Sequence, residues 1–264
     1  MGEKLQAKSY QCLNSNVLKL IGIILMVFDH LHQMFYMFGA PMWFTMLGRV
    51  VAPIFLFMAS EGFYYTKNRK KYMLRLLIGF WFMGIASMAI QKQFPLEDVM
   101  LMNSIFGTLF LCVYYMWIVD SLRNGIKQRK AMQIVLSILG LIIPFALGLL
   151  LFALININIT LFQIFMILVP TFVTVEGGFV FILLAVAFYL LRKNRWLQVL
   201  ALEIVAVYSF FAGNGIQWIM GFAAIPILLY NQKPGKKSTF HKYFFYLFYP
   251  AHIYLFYLIS YYLH

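Results

Sequence analysis

Acidic residues are scarce in this chain, 8 Asp and Glu in 264 residues against 21 Lys and Arg. Charged residues of both signs together reach only 11%. That is too little polar surface to solvate a globular domain of this length, which excludes a soluble enzyme. Cysteine is confined to Cys12 and Cys112, which excludes a disulfide framework and a cysteine-type metal site. Lone thiols of this kind are rarely nucleophiles. Repeats and low-complexity tracts are missing, and the longest polar connection, Asn231 to Thr239 with Pro234 and Gly235, is a short turn. The first apolar run lacks a small-residue cleavage site, so it is expected to stay as the first span rather than leave as a signal peptide.

What is present is apolar: 63% hydrophobic residues and a mean hydropathy of +0.83. The fold class that follows is all-α, a polytopic transmembrane helical bundle. Crossing the hydrocarbon core takes about 20 residues of helix. Nine such segments are predicted near 17–38, 43–65, 72–91, 99–120, 131–154, 176–191, 196–212, 215–230 and 241–262. Between 155 and 174 the chain begins polar, with Asn156, Asn158 and Thr160, and is broken by Pro170. A broken or re-entrant helix near 161–176 is expected there, which a membrane tolerates where protein or a cavity lines it. Counting it as a full crossing gives a ten-span alternative.

Nineteen of the 21 Lys and Arg fall into five polar breaks: the N-terminal segment, 66–75, 122–130, 192–195 and 231–242. Only Arg49 and Lys92 are left over. Loops that retain Lys and Arg stay in the cytoplasm, so the alternation predicts a cytoplasmic N-terminal tail over 1–16 in a multi-pass protein of the cell membrane. The +13 net charge is therefore of the orienting kind, and nucleic acid is not an expected partner. The lipid bilayer, with its anionic headgroups, and anionic cytosolic ligands are.

Ionisable side chains deep in spans are costly to insert and mark functional candidates. They are Asp29, His30, His32, Arg49, Glu61, Glu176, Glu203 and His252. With a rise of about 1.5 Å per residue, Asp29, His30, Arg49 and His252 fall in one middle layer. The short Gly39, Ala40, Pro41 turn makes the first two spans neighbours, so an Asp29–Arg49 ion pair is expected. That pair either only holds two helices together or forms part of a site. His30 suits a general base that takes a proton from an amine or hydroxyl, with Asp29 orienting its ring; the alternative is a histidine bonded quietly to a neighbour. His32 is expected toward the external vestibule. His252 follows Pro250, and either joins the layer or satisfies a carbonyl freed by the proline.

Glu61 precedes the basic run Lys67, Arg69, Lys70, Lys71, Arg75. It either orders those cations or is solvated at the interface. The run is an orienting loop or an anion clamp for phosphates, with Arg69 and Arg75 as forked donors and the lysines as point charges. Glu176, followed by Gly177 and Gly178, opens a helix after the broken segment, where two glycines allow close backbone approach to a ligand or tight packing. No metal-binding set is predicted.

Specific stretches resemble the TraX family. They are Val27, Phe28, Asp29, His30, then Gly48 to Phe55 with Arg49 and Pro53, then Ala59, Ser60, Glu61, Gly62, Phe63 and the basic Lys70 to Leu76. Near the C-terminus Leu229, Tyr230, Asn231 and Lys242 to His252 are similar to the family's closing signature. Where the family shows Asp, Tyr, Gly, this chain has Glu176, Gly177, Gly178. The family is named for a conjugative-plasmid protein that acetylates the N-terminus of pilin, so the resemblance implies a single integral membrane acyltransferase-like domain over 1–264 that acts as an acetyltransferase. The chain also looks distantly like transmembrane acyltransferases such as the acyltransferase-3 family, which use cytosolic acetyl-CoA and a first-span histidine. His30 stands at that position, and Lys70, Lys71 and Arg75 match the basic region. On this reading acetyl-CoA is the donor, its pantetheine arm threading from the clamp to the buried layer. The acceptor is a membrane-presented or exported peptide amine, or a lipid or glycan hydroxyl. Two other readings stay open: a proton-coupled transporter using the buried Asp, His and Arg, and a non-catalytic assembly factor for a surface structure.

Overall fold

The computed structural model describes residues 10–101, 105–235 and 239–264, with the side chains of 239–243 left aside. The expected cytoplasmic cations Lys4, Lys8, Lys236 and Lys237, and the Lys242 side chain, lie outside the described residues. In chain order the helices are α1 (Ser15–Phe35), α2 (Trp43–Gly48), α3 (Val51–Tyr65), α4 (Arg69–Gln93), α5 (Ile105–Lys127), α6 (Ala131–Ile157), α7 (Ile159–Leu168), α8 (Gly178–Leu190), α9 (Arg195–Phe211), α10 (Ala224–Leu228) and α11 (Thr239–Leu263). Tight 3-10 turns occupy Tyr36–Phe38 and Gly215–Ala223. Among the described residues no strand forms, and Leu13 meets Tyr230 in one isolated parallel bridge. The chain is thus an all-α polytopic bundle.

Among the described residues five helical stretches are long and apolar enough to cross a membrane: Ser15–Phe38, Trp43–Tyr65, Arg69–Gln93, Ile105–Lys127 and Ala131–Ile157. They make this a multi-pass membrane protein. Leu149 at 66% exposure and Met132 at 72% on α6 show the outward apolar face such a protein turns to lipid. Several expected spans fold as shorter pieces. The segment near 176–191 is a helix of 13 residues. The one near 215–230 is a 9-residue 3-10 stretch followed by the 5-residue α10, whose first turn holds Pro226, which has no N–H to offer the Phe222 carbonyl.

The second expected span is interrupted at Arg49 and Val50. Pro53 explains the break: in a continuous helix its ring would strike the Arg49 carbonyl, whereas in the first turn of α3 its missing N–H costs nothing. The broken helix expected near 161–176 is α7 followed by non-helical 169–177. Asn158 both ends α6 and caps α7, its Oδ1 accepting from the Thr160 and Leu161 amides at 2.9 and 3.1 Å. At the other end the Trp81 indole donates to the Leu168 carbonyl at 2.8 Å. A helix end inside an apolar layer is thereby kept satisfied.

Contacts divide the chain into two compact units. The first holds residues 10–58, 93–100 and 190–264 among those described, with α1 packed on α2 and on α11, and α9 on the 3-10 stretch. Its N-terminal segment is tied to the 229–233 loop, the Leu13 amide donating to Leu229 O at 2.9 Å and the Asn231 amide to Leu13 O at 2.8 Å. The second holds 59–92 and 101–189, built on the antiparallel neighbours α5 and α6. Its core includes Phe106, Cys112, Val113, Met116 and Phe188, none more than 1% exposed.

Candidate functional site

The first unit gathers Asp29, His30, Arg49 and His252 into one polar layer, as their depths along the helices predict. Apolar periodicity forces the arrangement. Leu18, Ile23, Met26 and Met34 turn one face of α1 inward, and His30 lies on that face at 4% exposure. His252 lies on the inward face of α11 between Tyr249 and Ile253, at 5%.

The two imidazoles are in contact. His30 Nδ1 is 2.7 Å from His252 Nε2, and His252 Nδ1 is 2.7 Å from the Phe248 carbonyl oxygen. These partners fix the tautomers. A carbonyl can only accept, so His252 carries its proton on Nδ1 and donates it to Phe248 O. Two imidazolium ions in contact would repel, so with both rings neutral His252 Nε2 accepts and His30 Nδ1–H donates. The lone pair of His30 is therefore on Nε2. The rings are held from the sides: Phe248 stacks on His252 at 4.8 Å and 15°, Phe256 meets it edge-on at 5.8 Å, and Tyr249 meets His30 at 6.1 Å. The carbonyl that His252 takes belongs to Phe248, whereas the one released by Pro250 belongs to Tyr246. The proline-repair role expected for this histidine is thus not the role its hydrogen bond plays.

Asp29 does not orient His30. Its carboxylate accepts from Thr45 Oγ1 at 2.8 Å and from Arg49 Nη2 at 3.1 Å. Arg49 also donates from Nε to Thr45 O at 3.2 Å, from Nη2 to Thr45 Oγ1 at 2.9 Å and from Nη1 to Gln217 Oε1 at 3.1 Å. The guanidinium is spoken for on three sides and bridges α1, α2 and the 3-10 stretch. Gly48 is required for this packing, since a Cβ there would fall on the Asp29 carboxylate. His32 reaches back to the Ala40 carbonyl at 3.0 Å, closing the turn between α1 and α2.

Thr45 and Gln217 escaped the sequence reading. Both carry a signal: Thr45 stands four residues before Arg49, one helical turn away, and Gln217 is the lone carboxamide in the apolar Ile216 to Leu229 run.

The second unit holds the other candidates. Glu61 is buried at 6% rather than solvated. Arg69 is committed: Nη1 pairs with Asp120 Oδ2 at 2.7 Å, and the guanidinium lies 4.2 Å over the Phe63 ring. The Tyr189 hydroxyl donates to the same Asp120 oxygen at 2.6 Å. That corrects Arg69 as a forked donor for phosphate, because an acidic partner with a second donor already occupies it. Lys67, Lys70 and Lys71 are exposed and Arg75 is half-buried. Asn68 caps α4 by accepting from the Lys71 amide at 2.9 Å, which sets Lys70 and Lys71 on the first turn.

Glu176 lies half-buried in the 169–177 loop, its carbonyl accepting from Thr108 Oγ1 at 3.1 Å. Thr174 in this loop borders a recess of about 300 Å³ that Ser87, Gln91 and Gln163 also line. Gly177 has φ +69, and a Cβ there would run into the Phe181 ring, so tight packing is what this glycine serves.

The family model described as TraX protein matches residues 14–260, nearly the whole chain. The chain belongs to the TraX family. No curated protein and no solved structure matches it. The matched region takes in both units, and with them the histidine pair and the basic run.

Proposed function

We propose that this TraX family member is a membrane acetyltransferase that moves an acetyl group from acetyl-CoA to an amine or hydroxyl of a membrane-presented or exported acceptor. The observation that carries the reading is the directed chain from His30 Nδ1–H to His252 Nε2, and from His252 Nδ1–H to Phe248 O. It leaves His30 with a basic Nε2 and a neighbour able to share the charge that a captured proton brings. His30 is the general base. As the acceptor nitrogen or oxygen attacks the thioester carbonyl carbon, its proton passes to Nε2. When the tetrahedral intermediate collapses, the C–S bond breaks and the same proton goes to the departing CoA sulfur.

His252 is a positioning residue that fixes the productive tautomer. Arg49, with Asp29, Thr45 and Gln217, is the organiser of the layer rather than an oxyanion donor, since its donors are turned on protein oxygens. Lys67, Lys70, Lys71 and Arg75 bind the phosphates of CoA, with Glu61 beside the run, and the Arg69–Asp120 pair secures the start of α4. On this reading the N-terminus is cytoplasmic, which the gathering of Lys and Arg in alternate breaks supports, and the membrane is the cell membrane. The likeness to the acyltransferase-3 family is part of this reading, and the family match does not carry it.

The test is saturable binding and slow hydrolysis of radiolabelled acetyl-CoA by detergent-purified protein. Binding lost in a Lys70→Gln/Lys71→Gln/Arg75→Gln variant, with hydrolysis lost and binding kept in His30→Ala, is the expected result. Absence of binding in wild type, or hydrolysis intact in His30→Ala, overturns the assignment.

A further inference from the structure

The α5–α6 pair holds a cleft that the proposed reaction does not use. It encloses about 700 Å³, within the roughly 300–1,000 Å³ usual for small-molecule sites. Its long walls are apolar, with Trp117, Ile118, Leu136 and Ile143. Gly140 lets the two helices close at its floor, where a Cβ would meet Ile118 Cδ1 at 2.6 Å and the Tyr114 hydroxyl donates to the Gly140 carbonyl at 2.8 Å. Along one side the polar groups are already engaged with one another. Ser137 donates to Ser121 Oγ at 3.0 Å, and Gln133 Nε2 donates to the Ser121 carbonyl at 2.9 Å.

The mouth is of opposite character. Lys130 lines it, in an exposed turn with Arg129, which is held at φ +53, and exposed Arg123 and Lys127 lie on the last turns of α5. No Asp or Glu occurs between Asp120 and Lys130, and Asp120 is taken by Arg69 and Tyr189. A slot that is basic at its mouth and apolar along its length matches one chemistry: an anion at the end of a long hydrocarbon chain.

We propose that the α5–α6 cleft is a binding site for an anionic phospholipid. The phosphate sits on Lys130 with Lys127 and Arg129 behind it, and one acyl chain lies along Leu136, Gly140 and Ile143. This site is separate from the histidine pair and makes no use of the acetyl-transfer reading. Basic pockets between membrane helices bind anionic headgroups by this combination of charge and groove, with each cation near the surface strengthening the attraction.

The test measures phospholipid retained by the full chain, by native mass spectrometry after purification from mixed micelles of phosphatidylglycerol and phosphatidylcholine. Three variants are compared with wild type. Lys127→Gln/Arg129→Gln/Lys130→Gln removes the headgroup charges. Leu136→Trp fills the groove at an exposed position and leaves the charges in place. Lys67→Gln/Lys70→Gln/Lys71→Gln removes the same amount of charge at a different turn.

Phosphatidylglycerol retained by wild type and by the third variant, but lost from the first two, is the expected result. Each charge removed from the mouth weakens retention about fivefold. Equal loss from the third variant overturns the proposal in favour of general surface charge. Equal retention of phosphatidylcholine overturns the headgroup assignment. Displacement of the lipid by free CoA gives the cleft to the donor instead.

Discussion

In the polar layer of the first unit Asp29 is turned on Arg49 and His30 on His252. Asp29, Thr45 and Arg49 close a ring of hydrogen bonds that Arg49 extends to Gln217, and His30, His252 and Phe248 O form a chain. At the start of α4 in the second unit only Arg69 is held in this way, by Asp120, while Lys67, Lys70 and Lys71 stand exposed. The same residue types thus do opposite work. A charge in an apolar layer must find a partner from its own chain, and what results is a rigid, preorganised set. A charge at a polar break keeps its donors for something that arrives from outside. The proposed function places chemistry in the first region and capture of an anion in the second on the strength of this contrast.

Breaking the histidine chain is the strongest test of this contrast. His30→Ala is expected to lower acetyl-CoA turnover by about 10²–10⁴-fold, the usual contribution of a general base, with binding of acetyl-CoA retained. Single-turnover kinetics beside equilibrium binding measure both. Breaking the ion pair is next. Arg49→Met and Asp29→Asn should each cost roughly 2–4 kcal/mol in unfolding, because each strands the other partner, and the double variant should cost less than their sum. Thermal melts in detergent report it, and additive losses would show that the pair is not coupled. His252→Ala sharpens the comparison inside the first unit. As a positioning residue it should lower kcat by about 10–100-fold while KM for acetyl-CoA stays put. A change in KM alone would move His252 to the donor site.

Smaller effects belong to the second unit. Arg69→Gln should cost about 1–2 kcal/mol of stability, since Asp120 keeps its Tyr189 hydrogen bond, and should leave KM for acetyl-CoA unchanged. A rise in KM as large as that of the Lys70, Lys71 and Arg75 variant would return Arg69 to the clamp.

Much of the layer was legible because helical rise is fixed. Counting residues from the Gly39 turn puts Asp29 level with Arg49, and counting along the last span puts His252 level with His30. What counting could not give is which neighbour each side chain takes. Asp29 is adjacent to His30 in sequence, but consecutive residues on a helix point about 100° apart. The carboxylate turned to α2 and the imidazole to α11. Asp120, in the middle of the chain, carried no sign that it would take Arg69, because the pairing depends on how α4 and α5 lie in the second unit.

The span lengths divide in the same way. Runs of unbroken apolar residues such as Ala131–Ile157 had to become long helices, since backbone groups in lipid have no other partners. Where Pro170 interrupts the run, the sequence announced a break but not its form, and the break near Pro226, inside an expected span, was not announced.

By itself, then, the sequence determined that this is an α-helical membrane protein, where its charges gather, and which ionisable groups share a level, because hydropathy, charge placement and helical rise are properties of one chain segment at a time. The tertiary structure alone decided that His30 answers to His252 and Asp29 to Arg49, that Arg69 is held by Asp120, and that α5 and α6 enclose a basic-mouthed cleft. Those outcomes depend on the rotation of each helix about its own axis, which is set by the packing of every side chain on its inward face.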